Sequence, residues 1–394
     1  MATTGALTIA VAVAMAWVVV PHRSAAASPL YRLGADALVT ASNDSTGVVV
    51  LQGEAKSSRW LRAEALVWGG HRGEDEADAL VMSLRLRAPR GWAEGRLGRF
   101  ILSSGVGRPV HLDGIDGRVR APWGTTVELF GGLPVVPRFE ARRGDWVVGG
   151  RLSQSLFDSV QLGASALHQT DASSPARSDV GLDLTIVPTE YIDVVARTTY
   201  DLLSNGLSEA LVQAGVGLGP MRAELFGRHQ TPARLLPATS IFSVIGDVPS
   251  RLGGLRLSWK VAPRLDVWVT LGVRERDRVG EELSAKTTLR LDDRGEGALS
   301  LEVVRSGMPD NEWTGVRGLA RIPLFDSWIA RLELELARRD DEKGRGRTWP
   351  WGIASLAWQP GPWSFGAALE AGATPAYEYA VDGLFRMSYR WSAE

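Results

Sequence analysis

The sequence predicts an all-β protein, a single-domain antiparallel barrel that crosses a lipid bilayer with about 22 strands. Apolar and polar side chains alternate along nearly the whole chain behind an apolar N-terminal segment. Successive residues of a strand point to opposite faces, so each strand has one apolar and one polar face. A barrel with lipid outside and water inside needs this division. In the final segment, residues 381–391, the apolar face carries Val381, Phe385, Met387, Tyr389 and Trp391.

The N-terminus has the features of an export signal. Residues 6–20 form a continuous apolar run, and Ala25, Ala26 and Ala27 follow as small residues suited to signal cleavage. We therefore expect residues 1–27 to be a cleaved signal peptide and residues 28–394 to be the barrel. The segment before the apolar run has no Lys or Arg, and a single anchoring helix is the alternative interpretation.

The composition excludes several classes of function. The chain has no cysteine, which excludes disulfide frameworks and cysteine metal sites. Its 44 basic and 45 acidic residues nearly cancel, so the overall charge gives no reason to expect nucleic-acid binding. After the N-terminal run, no stretch approaches the ~18 apolar residues of a membrane-spanning helix.

The individual strands are predicted from their period-2 pattern. In 264–276, for example, Leu265, Val267 and Val269 face one way, while Asp266, Trp268 and Thr270 face the other. The segments 47–56 and 113–132 show the weakest alternation, so about 18 or 20 strands are the alternatives. The predicted strands lie near 31–41, 47–56, 60–69, 79–88, 92–102, 113–121, 125–132, 145–156, 159–169, 178–187, 190–201, 207–218, 221–229, 251–261, 264–276, 282–292, 296–305, 312–322, 326–338, 348–358, 363–372 and 379–391.

The connections between the strands alternate in length and composition. One set is short and rich in Pro or Gly, as at 88–91, 121–124 and 359–362, and the other is longer and polar, as at 70–77, 169–178, 230–250 and 338–348. Short periplasmic turns and longer external loops give this asymmetry. A barrel of this width needs something to narrow its lumen. The partly apolar segments 133–144 and 230–250 are the candidates, and each is expected to fold into the lumen. The alternatives are a β-extension that stands above the membrane and a loop that rests on the lipid headgroups.

The polar faces carry many charges, which must meet water or each other because lipid would destabilise them. Two interpretations are open: a slight basic excess attracts anionic solutes, or mixed charges form cross-strand ladders that stiffen the wall. The candidate pore-lining residues are the cations Arg96, Arg118, Arg120, Arg151, Arg197, Arg222, Arg256, Lys260, Arg274, Lys286, Arg290 and Arg386, and the acids Asp116, Asp183, Glu224 and Asp266.

Other motifs give little support for catalysis, a metal or a cofactor. The sequence has no HExxH, GxSxG or phosphate-binding loop, and its histidines have no ligand spacing. The one nucleophile–base pair that can be proposed is Ser165 with His168. The acidic run 74–78 is either a divalent-cation site or a solvated loop tip. Trp and Tyr residues near strand ends are typical of interfacial girdles; a sugar-stacking path in the lumen is the alternative. The girdle candidates are Trp60, Trp68, Trp146, Trp349, Trp351, Trp358, Trp363, Tyr389 and Trp391.

Two resemblances to known families follow from these residues. The chain looks like a porin-type outer-membrane barrel, and its aromatic C-terminal segment resembles the signal read by the barrel assembly machinery. A shorter stretch, Gly95–Phe100 followed by Asp113–Arg118, is similar to paired strands of alginate-export and related polysaccharide-export barrels. That resemblance implies an Arg-lined lumen, with Arg96, Arg118 and Arg120 lining it, and a periplasmic export partner.

The expected function is therefore passage of hydrophilic solutes across the outer membrane, by diffusion or by polysaccharide export. The expected surroundings are outer-membrane lipid and lipopolysaccharide. A structural or surface-display barrel with a filled lumen is the second hypothesis, and an outer-membrane enzyme is the third.

Overall fold

A computed structural model describes residues 30–393 except 42–45, 57–59, 73, 106–108, 136–144, 172, 232–248, 294, 310–311, 340–346 and 375–376. The predicted signal peptide, residues 1–27, lies outside this range, as do most of the candidate constricting segments 133–144 and 230–250. Among the described residues, no helix has the length and hydropathy of a membrane-crossing helix.

The described chain forms 22 strands and one short 3-10 turn at Pro89–Gly91. The strands are β1 Leu30–Ala41, β2 Thr46–Lys56, β3 Leu61–Arg72, β4 Glu74–Arg87, β5 Ala93–Leu102, β6 Val110–Arg120, β7 Thr125–Pro134, β8 Val147–Leu156, β9 Val160–Asp171, β10 Ser174–Thr189, β11 Ile192–Asp201, β12 Gly206–Leu218, β13 Met221–Gln230, β14 Ser250–Ala262, β15 Leu265–Glu275, β16 Val279–Arg290, β17 Ala298–Ser306, β18 Trp313–Phe325, β19 Trp328–Arg339, β20 Arg347–Trp358, β21 Trp363–Thr374 and β22 Tyr377–Ala393.

These strands form one closed antiparallel barrel. Each strand pairs with the next along the chain, and β22 pairs with β1 from Tyr31↔Ala393 to Ala41↔Gly383. Every predicted strand corresponds to an observed one, including the weakly alternating segments 47–56 and 113–132. The predicted fold class, an all-β single barrel of about 22 strands, is confirmed.

The outer wall is apolar, as a barrel in lipid requires. Large aliphatic side chains that a soluble protein would bury are 55–66 % exposed here, among them Leu97, Leu129, Leu225, Leu334 and Leu369. In β15, which corresponds to the predicted segment 264–276, Leu271 and Val273 are also exposed. Arg274, on the opposite face of this strand, forms an ion pair with Glu282. The alternation therefore places aliphatic residues outside and charged residues inside.

The connections sort into two ends of the barrel. The short-turn end contains connections such as 88–92, 121–124, 219–220, 263–264 and 359–362, and the long-loop end contains 103–109, 135–146, 231–249 and 340–346. The two longest connections, 135–146 and 231–249, both lie at the long-loop end, but the predicted alternation of length is not regular, because 291–297 at the other end is longer than 276–278. The expectation of long polar loops at 70–77 and 169–178 is wrong: strands β3, β4, β9 and β10 continue through them and leave only residue 73 and residues 172–173 between the strands. A strand that projects into water has no need of an apolar face, so its polar sequence was taken for a loop.

Candidate functional site

The inward faces of the strands form the lumen wall, and their charges meet across strands. In one register row, Arg87, Glu94, Arg118, Glu128 and Arg151 stand opposite one another on five successive strands. Within this row Arg118 Nη2 lies 2.9 Å from Glu128 Oε2. Opposite charges on directly facing residues stabilise a sheet. The observed pairing therefore favours the ladder interpretation over a wall of free cations.

All the candidate pore-lining residues lie on this inward face by strand alternation, and the structure divides them into two groups. Most are in ion pairs: Arg96 with Glu64, Arg118 with Glu128, Arg151 with Asp183, Arg197 with Glu209, Arg222 with Asp193, Arg256 with Glu224, Arg274 with Glu282, Arg290 with Asp266, and Arg386 with Asp36. Within the described residues, no ion pair is formed by Arg120, Lys260, Lys286 or Asp116.

The seam between the first and last strands has its own charge cluster. Asp36 Oδ1 accepts hydrogen bonds from Arg386 Nη2 at 2.9 Å and from Ser388 Oγ at 2.6 Å, and Asp36 Oδ2 accepts from Arg390 Nη2 at 2.6 Å. Three donors from β22 thus share one carboxylate on β1. The contact joins residues 350 positions or more apart in sequence, so strand periodicity could place Asp36 on the inward face but could not identify its partners.

The lumen wall has a wet sector and a dry sector. On strands β11, β14, β18 and β22 the inward arginines Arg197, Arg256, Arg317 and Arg386 are 44–58 % exposed, although each is paired with an acid. Charged side chains this accessible must face water, since lipid does not reach the inner wall. This side of the barrel therefore borders an open aqueous space.

The dry sector lies toward the long-loop end of β5–β9. Its inward side chains are apolar and almost completely buried: Phe100, Leu102, Val110, Leu112, Phe130, Val147 and Leu167. Part of the cover comes from the connection after β5, because a Cβ added to Gly105 would lie 2.8 Å from Arg151 Cδ and 3.2 Å from Ser165 Cβ. Gly105 therefore lies across the inner wall against β8 and β9 and narrows the lumen there.

Sequence analysis did not find this apolar inner patch. On β6 the polar residues His111 and Asp113 alternate with Val110 and Leu112, whereas nearer the short-turn end Arg118 alternates with Val119. If one parity is followed along the whole strand, Arg118 and Leu112 lie on the same, inward face. The inward face of β6 therefore changes from charged to apolar along the strand. This change was the signal in the sequence that could have revealed the apolar inner patch.

The stretch that resembles polysaccharide-export barrels contains charges on both faces of the wall. Arg96 faces inward, with its guanidinium carbon 4.8 Å from the centre of the Phe100 ring. Arg99 faces outward and holds Asp113 with two hydrogen bonds of 2.8 Å, from Nε and Nη2. Its Nη1 also donates to Asp78 at 2.8 Å. Arg99 therefore ties three neighbouring strands together on the outside, a role that the resemblance did not imply.

Strand parity decides whether Ser165 and His168, the catalytic pair proposed from the sequence, can act together. Ser165 faces the lumen, whereas His168 faces outward and lies against Trp146 with ring centroids 5.1 Å apart. The two side chains are on opposite faces, so they cannot act as a nucleophile and its base.

In the acidic run 74–78, Asp75 forms a hydrogen bond of 2.7 Å with His71, and Asp78 accepts one from Arg99. Among the described residues, no three His, Asp or Glu side chains converge as a metal site would require.

The aromatic residues near the short-turn end form an outward cluster, as expected for an interfacial girdle. Trp358 stacks with Trp328 and Phe365, and Trp363 packs against Phe365 and Tyr389, with ring centroids 4.6–5.9 Å apart. The girdle assignment of Trp351 is wrong. Its indole nitrogen donates a 2.6 Å hydrogen bond to Glu370, which lies on the inward parity of β21 opposite exposed Leu369.

The chain is similar to known proteins in its fold. No family model and no curated protein sequence matches the chain. Among solved structures, the translocation pore of the P pilus usher PapC has a TM-score of 0.50 at 10 % identity, covering 93 % of this chain and 99 % of that one. The siderophore receptor PirA from Pseudomonas aeruginosa has a TM-score of 0.55 at 9 % identity, covering 94 % and 81 %. A mutant of the ferric enterobactin receptor PfeA from the same organism has a TM-score of 0.62 at 8 % identity, covering 92 % and 80 %.

The closed antiparallel barrel, its apolar outer wall and its charged inner wall together define a class of protein. They are the properties of barrels in the bacterial outer membrane. The chain therefore has the fold of an outer-membrane β-barrel, and in barrels of this class the short turns face the periplasm.

Proposed function

We propose that this barrel is a water-filled channel through which hydrophilic solutes cross the outer membrane. The observation that carries the proposal is the wet sector, where paired arginines on β11, β14, β18 and β22 remain 44–58 % exposed inside a closed barrel. A lumen filled by protein would bury these side chains, as the dry sector of β5–β9 does with its apolar residues. The wet sector therefore favours a channel over a surface-display barrel whose lumen is filled. The hypothesis of an enzyme gains no support, because the side chains of Ser165 and His168 lie on opposite faces of the wall.

Export of an exopolysaccharide is the narrower candidate. It is favoured by the resemblance of 95–118 to polysaccharide-export barrels and by inward cations near the periplasmic end, Arg120 and Lys260 among them, which would attract an anionic polymer. A periplasmic export component would then dock at the short-turn end. We further propose that β22, with its aromatic outer face, is the strand that the barrel assembly machinery recognises.

Single-channel recording in planar lipid bilayers tests the channel proposal. The refolded barrel is expected to insert and give stepwise conductance that scales with bulk salt, since a wide aqueous pore conducts like the solution that fills it. The same protein left unfolded in urea and then diluted into the bilayer chamber is the control and should give no steps. A folded, inserted barrel that stays electrically silent would overturn the proposal.

Removing a negative charge from the lumen wall is expected to change the ion selectivity of the channel. Glu224 lies 2.5 Å from Arg256 and 3.9 Å from Arg222. Glu224→Gln therefore removes a negative charge that balances the positive charges of these two guanidinium groups in the lumen. The reversal potential in a salt gradient is expected to move toward anion selectivity. The change should be larger in dilute salt, since the Debye length is about 30 Å at 0.01 M and about 3 Å at 1 M.

The matched control is Glu281→Gln. Glu281 pairs with Arg305 at 3.1 Å, and both lie on the outward parity of their strands, so this variant removes the same charge from the outside of the barrel. It is expected to leave the reversal potential unchanged. An equal shift in both variants would mean that Glu224 does not line the conducting path.

A further inference from the structure

Two arginines on neighbouring strands of the lumen wall face each other directly. Arg321 on β18 and Arg331 on β19 are register partners, and both have the inward parity that Arg317 and Glu333 show by their ion pair. Directly opposite residues of an antiparallel pair have Cβ atoms about 4.5–5.5 Å apart. The two side chains therefore leave the wall side by side, close to the periplasmic end.

Neither of these two arginines has an acidic partner in the described part of the chain, in contrast to the surrounding residues. Arg317, two inward positions away on β18, is paired with Glu333, and Arg290, two strands away in the same register row, is paired with Asp266. The Nε atom of Arg321 is shielded from solvent and has no hydrogen-bond partner among the described residues. A buried donor of this kind is costly unless something accepts its hydrogen bond.

Like charges on directly opposite residues destabilise a sheet, so an anion between the two guanidinium groups would be favourable. Arginine presents a planar set of N–H donors that matches the oxygens of carboxylate and phosphate groups. Ser355 on β20 is the register partner of Arg331 on its other side and adds a hydroxyl donor next to the pair. We propose that Arg321, Arg331 and Ser355 form a binding site for an oxyanion, such as a phosphate or carboxylate group, on the lumen wall near the periplasmic entrance.

This site goes beyond the proposed channel function, and binding can be measured without any conductance. The test is thermal unfolding of the detergent-refolded barrel, followed by heat-modifiable gel migration, at increasing inorganic phosphate. Potassium chloride at matched ionic strength controls for screening. A ligand that binds the folded state alone raises the apparent unfolding temperature along a saturable curve. We expect such a rise with phosphate and none with chloride.

The variants Arg321→Gln and Arg331→Gln identify the site. In either one the half-saturating phosphate concentration is expected to rise about tenfold or more, since each removes a charge-assisted hydrogen-bond donor. Without phosphate, each variant is expected to unfold at a slightly higher temperature than the parent, because the repulsion between the arginines is gone.

Arg317→Gln is the matched control, because it removes an arginine of the same strand and face that has an acidic partner. It is expected to lower the unfolding temperature and to keep the full phosphate response. An unchanged phosphate response in the double variant Arg321→Gln/Arg331→Gln would overturn the site, as would the lack of any response in the parent. A silent bilayer experiment, by contrast, would count only against the channel.

Discussion

Replacing Gly114 with alanine is expected to prevent most of the protein from reaching the folded barrel. A Cβ at this position would collide with the carbonyl oxygen of Gly131 and would lie 2.7 Å from the Cα atom of Gly132. Both obstacles are backbone atoms of the neighbouring strand, so no side-chain rotation can relieve the contact. Overpacking of a well-packed core costs about 1–3 kcal/mol, and a clash with the backbone of a hydrogen-bonded strand should exceed that range. Heat-modifiable gel migration of the refolded protein measures the folded fraction.

Gly117→Ala is the control for this prediction, because Gly117 lies on the same strand and has no atom within 4 Å of its added Cβ. It should fold as the parent does. Gly98→Ala should fail like Gly114→Ala: Gly98 has a φ of 117°, and its added Cβ would collide with the carbonyl oxygen of Met82. Equal folded fractions for the Gly114 and Gly117 variants would refute the steric explanation.

These glycines give a structural account of the stretch that resembles export barrels. Gly98 and Gly114 stand opposite each other in the β5–β6 register. Between the flanking charged residues, they allow the backbones of neighbouring strands to approach where no side chain fits. Arg96 and Asp116 lie on the inner face of the wall beside these glycines, and Arg99 and Asp113 lie on the outer face. Much of the motif thus shapes the wall, which weakens the residue-by-residue argument for export.

The sequence predicted the fold well because the bilayer imposes a strong physical constraint. Within the membrane each strand needs an apolar outer face, so period-2 alternation is visible in β14, β15, β19 and β22 without any knowledge of their partners. The constraint ends where a strand leaves the lipid. The polar upper parts of β3 and β4 therefore had the composition of a loop, although they form an extended hairpin.

The contacts of the lumen were much less predictable. Alternation assigns a residue to one of two faces, but it does not indicate which distant side chain lies opposite. The triad Arg99–Asp78–Asp113 joins three strands, and its outward direction depends on parity being followed through Gly98, whose φ is 117°. The apolar inner patch that includes Phe100 and Leu112 was not identified from the sequence. An apolar side chain satisfies period 2 on either wall, and only the parity of neighbouring charges decides between them.

The seam that closes the barrel gives the second large effect. Asp36→Ala removes the shared acceptor of Arg386, Arg390 and Ser388 and leaves two guanidinium groups beside each other. Loss of one partner from a buried ion pair costs about 3–5 kcal/mol. The side chains of Arg386 and Arg390 are 58 % and 51 % exposed, so water compensates in part and about 1–3 kcal/mol is the expected loss. The urea midpoint of the refolded barrel measures it.

Two further variants separate the seam from a general effect of lost charge. Asp382→Ala removes an inward carboxylate from β22 that stands opposite Glu370 and forms no ion pair with described residues. Because it relieves repulsion between acids, it should leave the urea midpoint unchanged or slightly higher. Asp36→Asn keeps a carbonyl acceptor for Ser388 while losing the charge, so its midpoint should fall between those of the parent and Asp36→Ala. If Asp36→Ala and Asp382→Ala unfold at the same urea concentration, the contacts of Asp36 do not stabilise the closure of β1 on β22.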